Sequence, residues 1–226
     1  MSTEETRKGA DGPPGSAETR AREMRRRKEQ VVLETLRRKA SGVDLRDVAL
    51  SLGVGWAEDG ESLEFEILGE GLVVRPDLSV VSKATARQAS WADAAIVLNA
   101  LVRPGGHPGS GWKTFREFAG GHAGDFREEA EKPLAFHAEE IAARAQEAAS
   151  AVSGRVVDPV AGSDVTFEVP VFPHVRALVQ VFREDMEFPA EARILFTEGA
   201  DRFLPPGCLE ELGSRLARKI IAAVTG

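Results

Sequence analysis

A chain of 226 residues with 42% hydrophobic and 29% charged side chains can bury a full core unaided, because folding at this length removes roughly 70% of the unfolded surface from water. Its single cysteine, Cys208, excludes an internal disulfide, a four-thiolate zinc site and a cysteine-ligated iron-sulfur cluster within one chain, which fits a reducing cytoplasm. No apolar run approaches the roughly 20 residues that cross a bilayer, the N-terminus lacks a secretory hydrophobic region, and the net charge of -7 opposes broad binding to nucleic acid.

Residues 1–19 are polar and rich in Gly, Pro, Ser and Glu, and are expected to form a disordered tail. A basic helix follows over 20–40. Between Arg20 and Lys39 stand nine basic residues against three acidic ones, a net +6, so the remainder of the chain carries -13. Met24, Val31, Val32 and Leu36 form a narrow apolar stripe on this helix, which suits a docked surface helix with a solvated charged face. Nucleic acid or an acidic partner is the alternative.

Residues 41–226 are expected to form a single α+β domain, a mainly antiparallel sheet with helices packed on it. Asp44 can cap a short helix to Leu52, which Gly53 and Gly55 break. A helix-turn-helix would need a second helix there, but Leu63, Phe65 and Ile67 alternate with charged residues as a strand does. Two more short strands, Leu72–Val74 and Leu78–Val81, complete a meander with Arg75-Pro76-Asp77 as a turn. Ser90 starts a core helix through Trp91, Leu98 and Leu101. The next stretch, HPGSGWKTFREFAGGHAGDF, is rich in glycine and aromatic residues, a composition that serves either a ligand-facing loop or a strand that plugs its rings into the core.

From Glu128 to Val152 the chain is helical in character, broken or started near Pro133, with Phe136, Ile141, Ala145, Ala148, Ala149 and Val152 as its stripe. Val165–Val169 then alternates as a strand that Pro170 and Pro173 end, Val175–Phe182 gives a central strand, and Arg193–Phe196 a third. The last two form a hairpin whose loop, Glu184 to Pro189, is acidic. Leu209, Leu212, Leu216 and Ile220 share one face of a C-terminal helix.

Candidate chemistry is sparse. The four histidines (107, 122, 137 and 174) show no metal-ligand spacing beyond the i,i+3 pair His137 and Glu140, and no metal site is assigned. Asp185 and Glu187 project to one side if their segment is extended, and paired carboxylates can share a proton or hold a cation, with Arg116 and Arg183 as partners. Cys208 has no histidine nearby in sequence and reads as an incidental thiol. No Walker A, GxGxxG or GxSxG element is present.

Two stretches, GWKTFREFAGG at 111–121 and DVTFEVPVFPHVRALVQVFREDMEFPAEARILF at 164–196, resemble the prokaryotic domain-of-unknown-function family DUF3786. Trp112, Phe115 and Arg116 match its G-x-W-x-x-F-R element, Phe172 and Pro173 its F-P turn, Asp185, Glu187 and Phe188 its acidic element, and Ile194, Leu195 and Phe196 its I-L-F-D element. Met186 interrupts the acidic element and Thr197 stands where an aspartate is usual, which weakens any site needing the full carboxylate set. The resemblance covers roughly residues 90–223, and more weakly the strands from 62 onward. It implies a setting in anaerobic cofactor or one-carbon (corrinoid) metabolism and no transferable activity.

The expected function is a binding or accessory protein with a cleft between the Trp112 loop and the Asp185 loop, lined by Trp112, Phe115, Arg116, His122, Asp185 and Glu187. Its partner is a small molecule or cofactor of unassigned identity, or a protein; nucleic acid is disfavoured. Two alternatives stand beside it. One is a carboxylate enzyme using Asp185 and Glu187 with a divalent cation and Arg116 on an anionic substrate; the other is an adaptor acting through the basic helix.

Overall fold

Period-two alternation builds two antiparallel sheets, and amphipathic helices cover them. A computed structural model describes residues 15–103, 105–119 and 123–226, with side chains from Thr19 onward. The tail expected over 1–19 lies, up to residue 14, outside the described residues; helix α1 spans Gly15–Ala40 and begins ahead of Arg20. The stripe expected on α1 is largely solvated. Met24 and Val31 are 60% and 56% exposed, while Leu36 and Ala40 are buried, because helix α3 (Trp91–Leu101) lies against only the second half of α1.

Helix α2 (Leu45–Leu52) is capped by Asp44, whose carboxylate accepts from Arg46 N at 2.8 Å, and ends at Gly53 with φ 62°. The chain then enters a four-stranded meander of β1 (Gly55–Trp56), β2 (Leu63–Ile67), β3 (Glu70–Val74) and β4 (Val80–Ser82), paired in chain order. Leu63, Phe65 and Ile67 point to the core as their alternation predicts. Ser90 caps α3 by accepting from Asp93 N, and Asp93 is itself buried.

The second sheet has the order β5-β9-β8-β7-β6, all antiparallel: β5 (Trp112–Thr114), β6 (Arg155–Val157), β7 (Val165–Phe172), β8 (Val175–Phe182) and β9 (Glu191–Thr197). Strand β8 is central, with Val175, Ala177, Val179 and Val181 buried. Pro170 does not end β7. Its partner β6 stops opposite Glu168, so the missing N–H of Pro170 falls where that side of the strand is an edge, and pairing with β8 continues across a register shift to Phe172.

The segment 123–152 is segmented rather than continuous. Helix α5 (Ala123–Phe126) passes through a π turn at Arg127–Glu131 into α6 (Lys132–Phe136), α7 (Ala138–Ala143) and α8 (Ala145–Ser150); α4 (Phe115–Ala119) precedes them. Pro133 lacks an N–H and crowds the carbonyl four residues back, which is where the wide turn sits. The extra residue rotates the buried stripe onto Ala130, Leu134, Ala138 and Ile141, and Phe136, expected inside, is 84% exposed. Helix α9 (Pro206–Thr225) buries Leu209, Leu212, Leu216 and Ile220 against this assembly. One hydrophobic cluster runs from Leu36 to Val224, so the two sheets share a core. No helix among the described residues is long and apolar enough to cross a membrane.

Candidate functional site

A cleft of about 760 Å³ opens between the two sheets, a volume in the range of small-molecule sites. One wall is the end of α2 with Gly53, Val54 and Gly55; the opposite wall is the β7–β8 hairpin, from Pro170 to Arg176. Phe65 of β2 stacks on Phe172 of β7 at 5.8 Å and joins the sheets beneath it.

The hairpin turn is the strained element of this wall. Phe172 pairs with Val175, leaving Pro173 and His174 as the two loop residues. Proline presets φ at the first central position, and in the type II form of such a turn the second takes a positive φ, a place glycine usually fills. Here His174 takes it, at φ 62°. A non-glycine residue there costs on the order of 1 kcal/mol. Its ring rests 5.4 Å from Phe203, and its Nε2 lies 3.5 Å from where a Cβ on residue 53 would stand. Glycine at 53 therefore meets two demands, a left-handed helix end and room for the imidazole.

Two cations stand at the cleft. Arg176 is bonded to Glu168 through Nη1, and its guanidinium lies 5.6 Å from the Trp112 ring centroid. Glu168 also accepts from Arg155 at 2.7 Å; that bond, seconded by the charge of Arg176, holds its carboxyl below the ordinary range, so it stays ionised and anchors Arg176. Lys83 donates to Glu64 at 2.7 Å, its stem lying over Gly71, where a Cβ would meet it at 3.2 Å. With exposed His174 and Glu66, the cleft offers an aromatic base and a rim of mixed charge.

The expected site residues do not converge. Trp112 is half-buried on edge strand β5 and reaches the cleft only through Arg176, while Pro108 of the same glycine-rich segment lines it directly. Phe115 is in the core, stacked on Phe126 at 4.3 Å. Arg116 lines a separate depression of about 490 Å³ with Arg127, Arg193, Glu131 and Glu191. His122 lies outside the described residues. Asp185 closes its own turn, accepting from Glu187 N at 2.8 Å and Phe188 N at 2.7 Å, and Glu187 is exposed.

A cleft shared by Trp112 and Asp185 is ruled out by register. Trp112 pairs with Thr197 at one end of β9, whereas the acidic loop enters at the other end, beside Glu191. Six residues of strand separate those ends, roughly 20 Å. Arg183, the other expected partner of those carboxylates, pairs with Asp164 at 3.0 Å. Its backbone N–H, bonded to Asp164, leads in lowering that carboxyl's pKa.

His174 enters the sequence reading only as one of four histidines without metal-ligand spacing, and Arg176, Lys83 and Glu64 do not enter it. The one legible signal was a Pro-His pair between two alternating strands.

Glu131, in the π turn, accepts from Ile194 N at 3.1 Å, and burial pushes its carboxyl above the ordinary range. A carboxyl raised in the fold costs stability once pH exceeds its unfolded value, roughly 4.3, and the full cost is present above its folded value. Glu131→Gln keeps an acceptor for Ile194 and removes the charge, so its melting temperature should exceed the parent's at pH 7 and converge on it below about pH 4. A lower melting temperature at pH 7 would contradict this. Burial also raises the Cys208 thiol to about 11, leaving it protonated and unreactive at neutral pH.

Among the described residues no group of three His, Cys, Asp or Glu side chains is gathered as a metal site. No curated protein and no solved structure matches the chain. A family model does match, over residues 44–219, well over half of the length. It takes in α2, both sheets and most of α9, and hence both walls of the cleft. The chain belongs to the family described as Domain of unknown function (DUF3786).

Proposed function

We propose that the protein is a non-catalytic binding or accessory protein that takes a small molecule into the cleft between its sheets. The observation that carries this reading is His174, held at a positive φ in the cleft wall, where glycine would relieve the backbone. The lining narrows the ligand class. Phe65, Phe172 and Pro173 suit a flat or apolar portion, and Arg176 and Lys83 suit a carboxylate or phosphate at its edge. Because Glu168 and Glu64 already hold these cations in place, an incoming anion would meet them preorganised. Cytoplasmic work with an anaerobic or one-carbon cofactor fits this chemistry and the family resemblance.

Native mass spectrometry of anaerobically purified protein tests it, combined with thermal shift across a panel of carboxylated and phosphorylated small molecules. The parent should retain a ligand or gain stability by about 2.7 kcal/mol at one hundred times its Kd. Arg176→Ala, at an exposed side chain, should lose that response while unfolding close to the parent. If the parent neither retains a mass nor shifts with any member of the panel, or if Arg176→Ala responds like the parent, the reading fails.

A further inference from the structure

From Arg20 to Lys28 every side chain of α1 is exposed, so this end of the helix stands clear of the body. The helix meets α3 at Glu29, whose carbonyl accepts from Trp91 Nε1 at 3.0 Å, and buries Leu36 and Ala40 beyond it. The clear end carries Arg20, Arg22, Arg25, Arg26, Arg27 and Lys28 against Glu23 alone. Met24 and Val31, seven residues apart and thus on one side, are both exposed. A projecting helix with this surface gains little from its own fold and suits a partner that is both acidic and apolar.

Two copies of α1 laid on each other would repel, since each is basic over this length. The β8–β9 tip has the opposite character. Glu184, Asp185 and Glu187 surround Met186 and Phe188, which are fully exposed and 66% exposed. The two backbone N–H groups bonded to Asp185 fix the turn, so the tip presents this surface already shaped. We propose that the basic end of α1 docks on the β8–β9 tip of a second copy of this chain, Met24 and Val31 meeting Met186 and Phe188 while arginines face carboxylates. Contact of this kind is steered by charge and weakens with salt.

Sedimentation velocity on the full chain, at about 20 mM and about 500 mM salt, tests the proposal. The parent should at least double its mass at low salt and return to monomer at high salt. Two charge reversals, Arg26→Glu with Arg27→Glu and Glu184→Lys with Glu187→Lys, leave the Asp185 turn intact and should each be monomeric alone. Mixed at low salt they should associate, because the unaltered α1 of the tip variant meets the unaltered tip of the α1 variant, whereas a chain carrying all four substitutions, positive on both surfaces, should stay monomeric. A parent that is monomeric at both salts, either reversal that still self-associates alone, or a mixture of the two reversals that stays monomeric overturns the proposal. So would a short DNA duplex that binds the parent through Arg26 and Arg27 while the chain itself remains monomeric. Circular dichroism on each variant separates loss of docking from loss of helix.

Discussion

Replacing Gly213 with alanine should destabilise the fold by about 1–3 kcal/mol, although α9 is a helix and alanine is the better helix former. In an isolated helix the same change would gain up to about 1 kcal/mol. A Cβ at 213 would stand 2.3 Å from Phe126 Cε2 and 2.6 Å from its Cζ, well inside contact. The ring has nowhere to retreat. Phe126 is 1% exposed, stacked on Phe115 and tilted against Phe196 at 6.2 Å, so either the helix lifts or three rings repack. For a chain of this length each kcal/mol lowers the melting temperature by about 2–4 °C, and urea unfolding reads the loss directly. Adding Phe126→Leu to Gly213→Ala should recover part of it. An alanine variant as stable as the parent would mean that α9 does not cross Phe126 at this residue.

Asp93→Ala should cost about 3 kcal/mol. The Asp93 carboxylate, at the start of α3, bonds to Arg215 of α9 and accepts from Ser90 Oγ at 2.6 Å. Both members of the ion pair are largely sheltered, with side-chain exposures of 11% and 14%. Removing one charge leaves the other desolvated with a weaker partner, because Glu70 reaches Arg215 only at 3.4 Å and is shared with Lys219 at 2.6 Å. Removing both is cheaper: Asp93→Ala with Arg215→Met should return most of the loss, as apolar replacement of a sheltered pair commonly does. A double-mutant cycle by urea unfolding measures the coupling, and additive losses would show that the pair contributes nothing of its own. This pair, with Glu70 and Lys219, ties α3 and the first sheet to α9, which packs on the helices lying against the second sheet, so its loss should also loosen the walls of the cleft.

Local patterns were readable where one physical cause acts alone. Asp44 caps α2 and Gly53 ends it, Ser90 starts α3, and the three- and four-residue spacing of α9 buries the leucines it marks. Where two causes compete, local reading erred. Pro170 lies within β7 because strand order puts its donor-less side at an edge, and Phe136 is outside because a π turn shifts the helical phase ahead of it. Neither strand order nor an inserted π residue leaves a mark on periodicity. Strands β1 and β6 are too short, at two and three residues, to show an alternation at all.

The amino-acid sequence by itself determined the α+β class, the solvated basic face of α1, the buried faces of β2, β8 and α9, and the presence of an acidic hairpin loop. Each follows from residues within one turn or one strand of each other, where side-chain spacing and backbone preference are decided. Only the tertiary structure decided which loops face a common space. It set Pro173-His174 of the second sheet against Gly53–Gly55 and β2 of the first, and sent Trp112 and Asp185 to opposite ends of β9. That choice rests on strand order and register, which are fixed by burying the joint core between residues more than one hundred positions apart, such as Phe65 and Phe172.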